Sequence, residues 1–322
     1  MLRKSIIVLL IVALAASFAI GCGKKGISNL SNLIELVPQK ANLAGQVRLG
    51  QILKDRDASD IYKLVPTEPG SSRTFDEALD KFQDENGIDL KDFEEGVFFG
   101  DVSQPGGRES YFGVLVKGNF AKDELISIIE ERTGEELSST SYKDHQIYVG
   151  RLQEFAISFL SEEVFVVGVM DAVKDVIDVK VGDEPALSGE VLETYNGLGD
   201  ALVKIAMVVP PQLTQEVPPI VAPLADVEKA GVALTKNGEL VALTIKLYLT
   251  STESAESFAA MITLAKSMGK NIQQMVPIPE EMLQVIQLLL DNLKVERSDS
   301  LVIISIEMTV SEIKALMQGS GT

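Results

Sequence analysis

The sequence has one cysteine, one histidine and no tryptophan among 322 residues. A lone cysteine, Cys22, excludes an intramolecular disulfide and a thiolate metal cluster. A lone histidine, His145, means that any Ser-His-Asp triad or multi-histidine metal site would have to use it. It stands in the polar run Tyr142, Lys143, Asp144, His145 and Gln146, which reads as a hairpin turn, so a solvated side chain is expected there. No Gly-x-Ser-x-Gly elbow occurs to supply a nucleophile. Gly197 and Gly199 are too sparse for a dinucleotide loop and no Gly-Lys-Ser or Gly-Lys-Thr is present, which argues against nucleotide binding. Aromatic residues make up only 6%, which counts against sugar-stacking platforms and aromatic interface hot spots. No cofactor is expected.

Basic residues are also scarce, 29 against 47 acidic ones, for a net charge of −18. Such a field repels phosphate backbones and anionic headgroups, so nucleic acid is not an expected partner. Acidic doublets recur at Glu94 and Glu95, Glu135 and Glu136, Glu162 and Glu163, and Glu280 and Glu281. A carboxylate-dependent hydrolase needs such a pair, but their frequency robs any one of specificity. Asp55, Asp57 and Asp60 have the spacing of a calcium loop but lack its turn glycine and closing glutamate. A solvated acidic face is expected instead.

One uninterrupted apolar run exists, from Ser5 to Ile20, preceded by Arg3 and Lys4. It falls short of the roughly 20 residues that span a bilayer and has the layout of a signal peptide. Ala19, Ile20, Gly21 and Cys22 follow it and resemble the lipobox of bacterial lipoproteins. The resemblance implies cleavage before Cys22, diacylglycerol on its thiol and an acylated amine, an anchor of two or three chains that holds a protein stably at a membrane. The expected location is extracytoplasmic, on the outer membrane or the outer face of the plasma membrane. Lys24 and Lys25, beside the anchor, are the local exception to the negative field.

The expected organisation is a signal peptide over 1–21, a lipidated tether over 22–28, and two α+β repeats over 29–185 and 186–322. Leu43, Gly45, Val47 and Leu49 alternate as a strand, and 97–102 with 111–116 form a hairpin. A helix follows, with Asn119 as cap, Leu125, Ile128 and Ile129 on its face, and Gly134 as its stop. Strands over 146–149, 155–160 and 164–169 then lead into a helix opened by Asp171. The second half repeats this order: a strand over 201–209, a hairpin over 231–249 turned by Asn237 and Gly238 in type I′ geometry, a helix capped by Thr250 and Glu253, a hairpin over 293–308, and a last helix capped by Thr309 and Glu312. The helix over 279–290 has no counterpart in the first half. Hairpins joined by helices predict an α+β fold with antiparallel sheets, helices packed on one face, and an internal duplication. From Tyr142 to Val209 the order of hairpin, apolar strands, the helix over 171–179 and a strand led by Asp200 is similar to a domain of unknown function found in uncharacterised extracytoplasmic bacterial proteins. That resemblance implies a fold and an address but no activity.

The most distinctive stretch is 208–223, where five prolines interleave with aliphatic side chains. It reads either as a core-covering crossover between the repeats or as a stiff flap over an apolar groove. In the second case Pro211, Leu213, Val217, Ile220 and Val221, together with Met275 and Met282 near Pro277 and Pro279, are the ligand-binding candidates. Three functions follow from the sequence. The first is a non-enzymatic envelope lipoprotein that binds a protein or peptide partner; the second is a carrier of a lipid or other apolar ligand; the third is a carboxylate hydrolase.

Overall fold

Twelve strands hydrogen-bond into one antiparallel sheet whose two halves repeat a single chain path. The computed structural model describes residues 32–62, 74–103, 111–151, 155–214, 219–269 and 280–319. In the first half β1 (Leu43–Val47) pairs with β2 (Phe93–Gly100) and β2 with β3 (Phe112–Gly118). The chain then leaves through a helix and returns as β4 (Ser138–Tyr142), β5 (His145–Val149), β6 (Ala156–Phe159) and β7 (Val164–Gly168), with β7 docking on β3. In the second half β8 (Val203–Val208), β9 (Val227–Asn237) and β10 (Leu240–Leu249) repeat the first three strands. A hairpin of β11 (Leu293–Ser298) and β12 (Leu301–Thr309) returns so that β12 docks on β10. The two paths meet back to back where β1 pairs with β8, Gly45 opposite Ile205. The expected antiparallel strands form one continuous sheet, ordered β11-β12-β10-β9-β8-β1-β2-β3-β7-β6-β5-β4.

Among the described residues ten α-helices decorate this sheet. They are α1 (Leu49–Leu53), α2 (Arg56–Tyr62), α3 (Phe75–Asn86), α4 (Lys122–Thr133), α5 (Met170–Val181), α6 (Glu190–Asn196), α7 (Pro211–Thr214), α8 (Thr252–Gly269), α9 (Glu280–Asn292) and α10 (Val310–Gly319). None of them is long and apolar enough to cross a membrane.

Opposed residues in an antiparallel ladder share a face, so the register sorts every strand residue onto one of two sides. The first side carries Ala44, Val97, Phe99, Leu115, Val166, Ala156 and Ile147, and α5 and α6 close over it. The second carries Phe165 and Ile157, covered by α4 through Leu125. Helices thus lie on both faces of the first half. Its core includes five of the six largest fully buried side chains of the described residues, Leu33, Phe99, Leu115, Ile147 and Ile177. In the second half the first side carries Thr244, Lys246, Glu307, Lys294 and Glu296, a solvent surface, while the second carries Val232, Ile245, Ile304 and Val295. There α8 packs Ala255 and Phe258 on Leu249 and Val302 of the second side, while α6 reaches over the seam onto β8 and β9 of the first side, which is open only beyond them.

Local signals explain most boundaries. Gly134 and Gly182 end α4 and α5 in the left-handed region, with φ of 68° and 84°. Thr309 and Glu312 form the expected capping box of α10. Three details differ from expectation. The cap of α4 is Ala121, not Asn119, and Ser251 rather than Thr250 caps α8, accepting a bond from the Ser254 amide. In the β9–β10 hairpin Asn237 faces Leu240, so Gly238 and Glu239 form the loop, and Gly238 with φ of 60° takes the first position as type II′ turns prefer. The proline-rich stretch joins β8 to β9 inside the second half; it is not a crossover between the repeats.

Candidate functional site

The second side of the second half holds an apolar belt that belongs to none of the buried clusters. Ile205 on β8, Val232 and Leu234 on β9, Ile245 and Leu243 on β10 and Ile306 on β12 follow one another across four strands, about 14 Å at the usual strand spacing. All stay partly accessible, Leu243 to 36%. The alternation of the strands forces this placement, since their other side chains, Lys204, Ala233, Thr244 and Ser305, point to the opposite face.

At one end of the belt α8 and the 3-10 turn Pro219–Asp226 form a wall. At the other, α1 packs Ile52 on Val47, Phe98 and Val203, and α2 meets α10. Gly45 sits beneath the Phe98 ring; a Cβ there would come within 2.1 Å of the ring, so glycine lets the aromatic lie flat on the sheet beside the belt.

Charge closes that second end. Lys236 lies two residues beyond Leu234 on the same side of β9, with its side chain 5% exposed, and donates to Asp55 at 2.7 Å and Asp57 at 2.6 Å. Asp55 also caps α2 through the amides of Asp57 and Ala58. Lys314 of α10 reaches Asp60 at 3.0 Å and Asp57 at 3.6 Å. Hydrogen bonding to Lys236 holds the Asp57 carboxyl below its usual range, and the carboxylates raise both lysines. The aspartates with calcium-loop spacing are therefore ion-paired rather than a freely solvated face.

The sequence candidates fall unevenly around this belt. Pro211 and Leu213 lie on α7, both exposed, Leu213 to 42%. Ile220 and Val221 belong to the 3-10 turn that walls the belt, and Met282 to α9; only their backbone positions are described. Val217, Met275 and Cys22 lie outside the described residues. The belt residues themselves were readable as alternating strands, but which strands stand side by side was not.

Two polar clusters lie elsewhere. Beneath α6, at the seam of the repeats, Gln46 donates to Glu95 at 2.6 Å and accepts from Tyr195 at 2.7 Å, while the Lys204 ammonium sits 3.9 Å above the Tyr195 ring. Burial raises the Glu95 carboxyl and lowers Lys204. Glu94, its doublet partner, is its neighbour on β2 and is exposed, paired with Lys117 rather than with the Gln46 cluster. Between α3 and α4 an open cleft of about 430 Å³ is lined by Ile88, Phe93, Phe120 and Leu125 with Asp89, Asp92 and Glu124. Burial and the two like charges raise the Asp92 carboxyl. His145 begins β5 opposite Tyr142, half-buried, with its imidazole lowered by burial and by Lys180.

No family model and no curated protein match the sequence. Solved structures similar to it include three crystal forms of TP0453. Form I shares 9% identity at a TM-score of 0.45 over 89% of this chain and 96% of that one. Form III shares 11% at 0.47 over 92% and 99%, and form IV 10% at 0.47 over 88% and 96%. At these values the neighbours lend this chain no function.

Proposed function

We propose that the chain is a lipid-tethered, extracytoplasmic and non-enzymatic binding protein that holds an apolar ligand against the partly accessible apolar belt of its second half. The tether rests on Cys22 and the leader before it. The observation that carries the ligand reading is the belt Ile205, Val232, Ile245, Leu243 and Ile306: contiguous aliphatic surface, free of charge along its length, on a protein that is otherwise strongly acidic. An aliphatic lining with polar groups at its ends suits a lipid chain better than a sugar or nucleotide.

Mass spectrometry of the protein extracted from membranes without detergent tests the carrier reading. A co-purifying acyl-chain lipid is expected, and an Ile245→Asp variant should lose it. Absence of any such ligand, with no uptake of a fluorescent fatty acid, would overturn the reading. Metabolic labelling with an alkyne fatty acid tests the tether: label is expected on the wild type and not on Cys22→Ala.

A second reading, docking of an extended polypeptide, is favoured by β4. This edge strand reads Ser138-Ser139-Thr140-Ser141-Tyr142, four of its five residues are exposed and none is charged. The opposite edge, β11, carries Lys294, Glu296 and Arg297, side chains that discourage strand addition.

A further inference from the structure

We propose that α2 and α10 form an ion-paired clasp that controls entry to the apolar belt, with Lys236 as its fixed point and Lys314 as its releasable one. The inference rests on the ligand reading for its purpose and on separate observations for its mechanics. Helix α2 spans Arg56–Tyr62 and fully buries none of its residues; its Tyr62 ring packs on Phe75 of α3, within the first half, rather than on the second half. What ties it to the second half is charge. The Lys236 ammonium stands on the sheet itself, 5% exposed, facing Asp55 at 10% and Asp57 at 25%. A buried cation with two carboxylates is costly to break, because separation leaves uncompensated charge in a poorly solvated place.

The outer pair is of a different kind. Lys314 is 28% exposed and Asp60 48%, the condition in which an ion pair is weak and screened by salt. Asp57 is shared between the two lysines, so release of Lys314 leaves α2 still held at Asp55 and Asp57 by Lys236. The helix then pivots about its N-terminal end while its C-terminal end parts from α10. The position of the clasp gives this motion a consequence: Lys236 directly follows Leu234 on the belt side of β9, and α10 follows β12 just beyond Ile306. Parting α2 from α10 widens the belt at that end.

The test is amide hydrogen exchange with thiol labelling on the full chain in liposomes, without added ligand. Lys314→Gln should speed exchange in 56–62 and 310–316 about tenfold relative to wild type and speed maleimide modification of a Leu234→Cys thiol to a similar degree. Wild type in 0.5 M salt should move the same way, and Lys314→Arg should behave as wild type in low salt. Unchanged exchange and labelling in both Lys314→Gln and high salt would overturn the clasp. Exchange that rises without faster labelling of the Leu234→Cys thiol would overturn its control of entry. Uptake of a fluorescent fatty acid separates the two proposals: clasp opening with no uptake in any state defeats the ligand reading alone, whereas uptake at one rate in all variants and salts defeats the clasp alone.

Discussion

On β3 of the first half, Val114 and Leu115 point to opposite faces of the sheet and both are buried; on β10, its counterpart in the second half, Thr244 and Ile245 do the same and neither is. The chain path is repeated, but the layers built on it are not. In the first half α5 returns over the first face after β7 and seals it with Val173, Val176 and Ile177. In the second half α10, which follows β12 at the corresponding point, instead meets α2 and α9, and the first face beyond α6 is left without a covering helix and carries Thr244, Lys246, Ser305 and Glu307. Two repeats with one topology therefore divide the work: one supplies most of the core, and the other keeps accessible apolar surface.

The ion pairs that tie α2 to the second half should be the most expensive side-chain contact to lose. Lys236→Ala strands Asp55 without its cation and leaves Asp57 only the longer contact to Lys314, and a loss of about 3–5 kcal/mol is expected in urea unfolding. Lys236→Met should recover little, since the carboxylates remain; a cost below about 1 kcal/mol for either would mean that α2 is held to the second half by packing alone. Next, Ile177→Ala should cost about 2–5 kcal/mol, and Ile304→Ala on the half-buried second-half face clearly less. Equal costs would break the contrast between a sealed and an open repeat.

The smallest expected effect lies at the seam. Burial raises the Glu95 carboxyl above its unfolded value, so its contribution is greatest when protonated, below the unfolded pKa of 4.5, and is lost as pH rises through the folded value. Glu95→Gln should flatten stability across that window and leave the protein at neutral pH no less stable than wild type. Asp57 has the opposite sign. Its carboxyl is lowered, so its contribution is present above 3.8 and fades as pH falls through the folded value, a trend that Asp57→Asn removes.

Much of the fold was legible because hairpins write themselves as alternation. Leu243, Ile245 and Leu247 interleaved with Thr244, Lys246 and Tyr248 already describe a strand wet on one side. What stayed hidden has identifiable physical causes. Strand β4 is built of serine, threonine and one tyrosine, so it has no apolar period to read and is set by its hairpin with β5, whose turn holds Lys143 and Asp144 at positive φ. Gln46 occupies a buried slot in an otherwise apolar strand because its partners, Glu95 and Tyr195, come from elsewhere in the chain. The clasp was equally unreadable: Lys236 and Asp55 stand 181 positions apart, and nothing in local pattern links them. The prolines of 208–223 marked an irregular connection correctly but could not say which strands it joins.

The seam between β1 and β8 also orders events in time. Strand β1 is among the earliest parts of the body to be synthesised, yet it lies in the middle of the finished sheet, and the edge it offers to β8 has no partner until residues 203–208 have followed. Closing so long a loop is entropically slow. Until then β1, already paired with β2 on its other side, keeps one edge of a central strand open, the interval in which strand-adding chaperones or misplaced copies of the chain have access to it.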